Sequence, residues 1–162
     1  MQPRQQYIET VRNLYSMGAA IAQDDREGFV LLADNGDGNM DTYAVATVVA
    51  MRNPIVDVAR REQIPVRTLL NDNGPLRDIP GAIRDALGRL HRDEDFDSES
   101  LVEDLRLQIR NGDEPLPDED ILVLGALVDS VVVAWTLLVG ASSVVDHARR
   151  LLLATGMLPD ER

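Results

Sequence analysis

Three blocks of this chain occur twice, in the same order. Ile55-Val56-Asp57-Val58-Ala59-Arg60-Arg61 aligns with Val144-Val145-Asp146-His147-Ala148-Arg149-Arg150. Asp41-Thr42-Tyr43-Ala44-Val45-Ala46 aligns with Asp129-Ser130-Val131-Val132-Val133-Ala134. Ile8-Glu9-Thr10-Val11-Arg12 aligns with Val102-Glu103-Asp104-Leu105-Arg106, and Gly18 falls over Gly112. The offset moves from 94 to 88 to 89 residues. Recurrence on this scale marks repeated supersecondary units, each of about 55 residues and too small to bury its apolar face alone. The expected architecture is one all-α domain over residues 1–162. Two tandem repeats of about four helices each would share a core with approximate two-fold symmetry. Repeat one covers 7–64, a helical connection 65–100, and repeat two 101–156.

Apolar periodicity supports helices throughout. Tyr7, Ile8, Val11, Leu14, Tyr15 and Ala19 recur at helical spacing and predict a helix over residues 5–23. Asp24-Asp25 is placed as the start of a short second helix containing Phe29 to Leu32. Asp41 is expected to cap a helix over 42–52, and Asn53-Pro54 to restart the chain as another, with proline at its first position. A short helical piece over 65–71 stops at Asn71-Asp72-Asn73-Gly74, a strong turn signal. Ile83, Ala86, Leu87 and Leu90 predict a helix in the connection, followed by an acidic linker over 91–100. In repeat two, a helix over 101–111 leads to a loop bracketed by Pro115 and Pro117. Helices start at Asp118 and Asp129, or run as one, and a last helix covers 143–155 with Gly156 as its cap.

Residues 121–145 carry a single charge, Asp129, and are long enough to span a bilayer. Asp129 stands near the middle, where an ionised group is costly in lipid. Ser143 and Asp146 have the spacing of a capping box, and the aligned stretch of repeat one is amphipathic. The stretch is therefore read as buried helix.

Charge narrows the function. The net charge is −12, and all 16 cationic side chains are arginine. Residues 1–51 carry three Arg and seven acids, net −4; residues 52–92 carry eight Arg and five acids, net +3; residues 93–162 carry five Arg and sixteen acids, net −11. Such a surface opposes nonspecific binding to nucleic acid or anionic membrane. The absence of cysteine excludes disulfides and thiolate metal sites. The N-terminus has no apolar signal region and reads as cytoplasmic.

Two local resemblances stand out. Ala33-Asp34-Asn35-Gly36-Asp37-Gly38-Asn39-Met40-Asp41 resembles the calcium loops of EF-hand and dockerin modules, with Asn35, Asp37 and Asp41 at ligand positions. Ala33 and Ala44 occupy the first and twelfth positions, where those loops carry carboxylates. The expectation is a polar turn without metal. Residues 55–72 resemble the helix-turn-helix of bacterial repressors. Ala59 lies at the helix crossing, Ile64 closes the turn, and Val66-Arg67-Thr68-Leu69-Leu70 opens the recognition helix. That resemblance implies DNA contacts by Arg60, Arg61 and Arg67. Gln63 stands where glycine is usual, and Glu62 and Asp72 where apolar residues are. Because Ala-Arg-Arg recurs at Ala148-Arg149-Arg150, the shared feature is read as structural, with Asp57 and Asp146 each paired to the arginines three and four residues on.

The acidic runs at 93–97 and 118–120 are read as a solvated loop and a helix N-terminus, not as a Mg²⁺ site. His91 and His147 are both expected at the surface. Repeat two is far more apolar than repeat one, so its last long helix either centres the core or meets a partner. Val131, Trp135, Leu138 and Val139 are the interface candidates. The leading expectation is a noncatalytic, acidic helical protein–protein interaction module, self-associating as a homodimer, with no catalytic residue, cofactor or metal. The alternative is a helix-turn-helix DNA-binding regulator using residues 54–72. The third is an acidic mimic of nucleic acid that blocks a basic partner.

Overall fold

The computed structural model describes residues 3–35, 39–110, 114 and 116–156. Among them there are eight α-helices and no strand: α1 (Pro3–Ala22), α2 (Arg26–Asn35), α3 (Met40–Glu62), α4 (Val66–Leu70), α5 (Gly81–His91), α6 (Ser98–Ile109), α7 (Glu119–Val139) and α8 (Val144–Gly156). A single 3-10 turn, Ala141–Ser143, joins the last two. The buried side chains form one cluster to which every α-helix contributes.

The helix α3 is longer than its punctuation suggests. Its cap is Asn39, whose Oδ1 accepts the Thr42 backbone N–H at 2.8 Å, so Asp41 lies in the first turn rather than at the cap. There its charge still suits the positive end of the helix dipole. The chain does not restart at Asn53-Pro54; α3 runs through Pro54 to Glu62. Proline removes one backbone bond and crowds the preceding turn. The stripe Ala44, Val48, Met51, Ile55 and Val58, buried at spacings of four and three, continues on both sides and outweighs that cost. The helix ends at Gln63, whose φ of 57° is left-handed, and the Ile64 N–H donates back to the Ala59 carbonyl at 3.0 Å.

The helix α7 is one unbroken element, so no helix starts at Asp129. Nothing between Leu127 and Ala134 breaks a helix, and Val123, Leu127, Val131 and Trp135 are all fully buried at every fourth position. Ser130 is accommodated by donating its hydroxyl to the Ala126 carbonyl at 2.8 Å. By length and composition α7 could cross a bilayer. Here it is the central helix, packed most extensively on α3 and also against α1, α2, α6 and α8. It stops at Gly140, whose φ of 87° and ψ of 152° suit only glycine.

The aligned sequence blocks fall at different places in these helices. Segments 7–64 and 101–156 hold three α-helices each, not four. Asp41 opens α3, whereas Asp129 lies mid-helix in α7. Ile55 follows Pro54 inside α3, whereas its partner Val144 begins α8 after a break. The connection over 65–100 is helical as expected, carrying α4 and α5. Its acidic end also caps α6: Asp97 accepts the Glu99 N–H at 3.0 Å and the Ser100 hydroxyl at 2.9 Å. The hydroxyl bond from Ser100 holds the Asp97 carboxyl below its ordinary range.

A close approach in the core joins α1 to α7. A Cβ on Gly18 would stand 2.6 Å from the Trp135 ring, and Trp135 is fully buried, with Tyr15 against it at a centroid distance of 5.8 Å. Alanine is the better helix former by about 1 kcal/mol. Overpacking against a confined indole typically costs about 1–3 kcal/mol. Gly18→Ala is therefore expected to destabilise by about 1 kcal/mol net in urea unfolding, and Trp135→Phe in the same chain to recover part of the loss. A more stable Gly18→Ala protein would contradict this packing.

Asp129 supplies a pH-dependent test. It is exposed overall but borders a cavity lined by Ile21, Phe29, Ile121 and Leu122, and partial desolvation there raises its carboxyl above the ordinary value. The folded state therefore holds that proton to higher pH than the unfolded chain does. The stability linked to the protonated form is complete below the unfolded value near ~3.9. It is lost as pH rises through the folded one. Asp129→Asn should raise the melting temperature at pH 7 and leave it unchanged near pH 3. An equal shift at both values would remove desolvation as the cause.

Candidate functional site: a basic groove between α3, α4 and α5

The one positive stretch of the sequence folds into a concavity. The end of α3 turns at Gln63, and the five-residue α4 packs Val66 and Leu69 inward. The loop after α4 is tied down locally. Asn71 Oδ1 accepts the Asn73 N–H at 3.0 Å, and Gly74 sits where a Cβ would lie 2.7 Å from the carbonyls of Thr68 and Leu69. Leu76 and Ile79 anchor the return. Arg84 on α5 then donates to Asp72 at 2.8 Å, to the Leu70 carbonyl at 3.3 Å and to the Ile79 carbonyl at 3.2 Å. Arg84 is thus a fastener between the loop and α5.

The result is an open groove of about 1350 Å³. Val56, Ala59, Ile64 and Leu70 contribute its apolar floor, Arg60, Arg67, His91 and Arg92 much of its rim, and Asp72 and Asp85, paired with Arg84 and Arg89, also line it. Arg92 is paired with Glu94 at 3.0 Å. Among the described residues, Arg60 and Arg67 have no carboxylate within 4.0 Å. Two exposed guanidinium groups outside any ion pair among the described residues, beside an apolar floor and with both lining carboxylates paired elsewhere, attract an anionic group and leave room for an apolar one.

The three arginines implied by the helix-turn-helix resemblance separate. Arg60 and Arg67 line the groove together. Arg61 points the other way and donates to the Leu138 carbonyl at 2.7 Å and the Leu137 carbonyl at 3.0 Å. It closes the carbonyl end of α7, which has no basic residue in its own last turn. Of the expected intrahelical pairs, Asp146 with Arg149 is present at 4.0 Å, and Arg61 pairs with Glu62 rather than Asp57.

The interface candidates separate too. Val131 and Trp135 are wholly buried in the chain's own core and offer no surface; Leu138 and Val139 are half-buried. The large apolar side chains that do face outward include Leu107, Leu116 and Leu122, which the sequence reading did not single out. The run 118–120 is largely spoken for. Glu119, 5% exposed, accepts from Arg110 and Arg106, and Arg106 also reaches Asp120 at 3.1 Å. The Arg110 hydrogen bond holds Glu119 below the ordinary carboxylate range. Among the described residues, no group of three or more His, Asp or Glu side chains is placed to hold a metal ion. Of the calcium-loop resemblance over 33–41, residues 36–38 lie outside the described residues, while 33–35 end α2 and Asp41 lies in the first turn of α3.

His147 is half-buried rather than fully exposed. It packs edge-on to Trp135 at 5.8 Å beside a cavity of about 260 Å³ that Tyr7 and Tyr15 also line. Burial, with Arg150 nearby, lowers its pKa and favours the neutral ring. Comparison of the chain with models of known families, with curated proteins and with solved structures gives no match in any of the three.

The two roles of the Arg60-Arg61 pair can be told apart by stability. Arg61→Ala is expected to cost about 1 kcal/mol, the worth of a charged hydrogen bond reduced for its half-exposed position. Arg60→Ala should stay within about 0.5 kcal/mol, as for other surface changes. Equal losses in urea unfolding would remove the capping role from Arg61.

Proposed function

We propose that this protein is a noncatalytic interaction module that takes an acidic, amphipathic protein segment into the α3–α4–α5 groove. The observation that carries the reading is the pairing of an apolar floor with Arg60 and Arg67, neither in an ion pair among the described residues, on a chain of net charge −12. At about 1350 Å³ the groove is larger and more open than the ~300–1000 Å³ usual for small ligands. Its dimensions suit a helix or extended segment, which would meet the floor with apolar residues and the rim with carboxylates.

Duplex DNA is the weaker reading. Major-groove recognition needs a protruding helix, and here the arginines border a concavity. The helix α4 is only five residues long, and Arg61 is committed to α7. A common origin for residues 7–64 and 101–153 belongs to the same proposal. It is supported by the ordered sequence blocks alone, since the two blocks that share α3 divide between α7 and α8 in the second segment.

Selection from a displayed random dodecapeptide library tests the groove. Peptides rich in Asp and Glu with spaced apolar residues should be enriched on the native protein. The double variant Arg60→Glu, Arg67→Glu should weaken them tenfold or more, about 1.4 kcal/mol at the least. The proposal is overturned if no class is enriched, or if basic peptides are. Binding of mixed-sequence duplex DNA at physiological salt that disappears in Arg67→Ala would promote DNA in its place.

A further inference from the structure

We propose that the cavity between α1, α3, α7 and α8 binds a small free organic cation bearing a methylated ammonium group, with Asp57 as its counter-charge and Tyr7 and Tyr15 as its aromatic wall. This site is separate from the basic groove and does not rest on the reading of that groove.

The aromatic wall follows from helical spacing. Tyr7, Val11 and Tyr15 recur at every fourth position of α1 and line the cavity together. Both tyrosines are half-buried, and neither hydroxyl has a hydrogen-bond partner among the described residues. Desolvation raises both phenols above their ordinary value, and Tyr7 raises Tyr15 further, so both rings are neutral and within electrostatic reach of each other. Beneath them the fully buried Trp135 packs against Tyr15 on one side and His147 on the other, each at a centroid distance of 5.8 Å. Burial, with Arg150 nearby, lowers the His147 pKa, so the α8 wall is uncharged at neutral pH.

The wall on α3 is electron-rich. Pro54 has no N–H to give the Ala50 carbonyl one turn earlier, which leaves that carbonyl without its α-helical donor, and both residues line the cavity. Asp57 lines it too, is exposed, and engages in no ion pair among the described residues. Its natural partner four residues on, Arg61, is drawn instead to the Leu137 and Leu138 carbonyls and to Glu62. The fold thus holds elsewhere the cation that would neutralise Asp57.

This combination selects the ligand. Neutral aromatic rings attract cations, and a nearby carboxylate adds to the attraction. Val11, Leu138 and Leu151 fill out the lining with apolar surface, which suits methyl groups better than the firmly held water of a metal ion or a bare ammonium. At about 260 Å³ the cavity falls below the ~300–1000 Å³ of ordinary small-molecule sites and so fits a compact head group. The net charge of −12 favours the approach of any cation.

Trp135 is the only tryptophan, so its fluorescence reports on the cavity. Choline titrated at constant ionic strength should give a saturable change with a Kd of about 1 mM or tighter, and calorimetry should give the same constant. The neutral isostere of choline, in which carbon replaces the nitrogen, should bind at least tenfold more weakly. Asp57→Asn, at an exposed position, should also weaken choline at least tenfold. Tyr7→Phe keeps the ring and should bind as the native protein does, whereas Tyr7→Leu should lose about threefold or more. Thermal unfolding verifies that each variant folds. Absence of both heat and fluorescence change with choline would overturn the proposal. So would equal affinity for the isostere, which would make the cavity merely apolar, or undiminished binding by Asp57→Asn. Capture of the protein by phosphatidylcholine vesicles, with free choline inert, would overturn it in favour of a membrane head group.

Discussion

Burial between α3 and α7 is the constraint from which the other placements follow. The two longest helices each present a continuous apolar stripe, Ala44 to Val58 on one and Val123 to Trp135 on the other. Each fully buried Val, Leu, Ile or Met side chain is worth about 1.5–3 kcal/mol, so a stripe of this length fixes the pairing. The pairing then dictates the ends. At one end α3 brings Arg61 to the open carbonyls of α7, and its last turn becomes a wall of the groove. At the other, α7 starts beside α6, and Glu119 is buried with two arginines to satisfy it. A buried carboxylate of this kind is tolerable only with its partners in place, so Glu119 ties the end of α6 to the first turn of α7. Gly18 allows α1 to close over Trp135 because no other residue leaves room there.

Helical class and most helix positions were legible because apolar periodicity is a local property. Leu14 and Met17 on α1, or Ile83, Ala86 and Leu87 on α5, are buried where their spacing puts them. Boundaries were less legible where punctuation and burial disagree. Asn53-Pro54 carries the grammar of a helix start, yet the buried residues flanking it hold α3 in one piece. Asp129 resembles Asp41 in its sequence context, yet the Val-rich stretch around it had no reason to break. Capping is a preference worth about 1 kcal/mol, and a core stripe exceeds it several-fold.

The site was legible only in outline. The net charge of residues 52–92 pointed to the right stretch, and Arg60 and Arg67 do share a surface. Nothing local distinguished Arg61 from Arg60, because its partners are carbonyls 76 and 77 positions away in the chain. Apolar richness in repeat two drew attention to Val131 and Trp135, which the chain keeps for itself. Leu107 and Leu122 sit in ordinary amphipathic contexts, and only the packing of α6 against α7 shows which face of each remains uncovered. A side chain's exposure depends on contacts across the whole fold, and helical spacing carries only half of that information.

Arginine supplies every cationic side chain, and this limits how the molecule's positive face can be altered covalently. Acetylation acts on lysine and removes its charge, and no side chain of the groove offers it a target. Methylation of a guanidinium keeps the charge and blocks only the paired hydrogen bonds of its planar fork. The groove can therefore lose its grip on a carboxylate without losing its attraction for one.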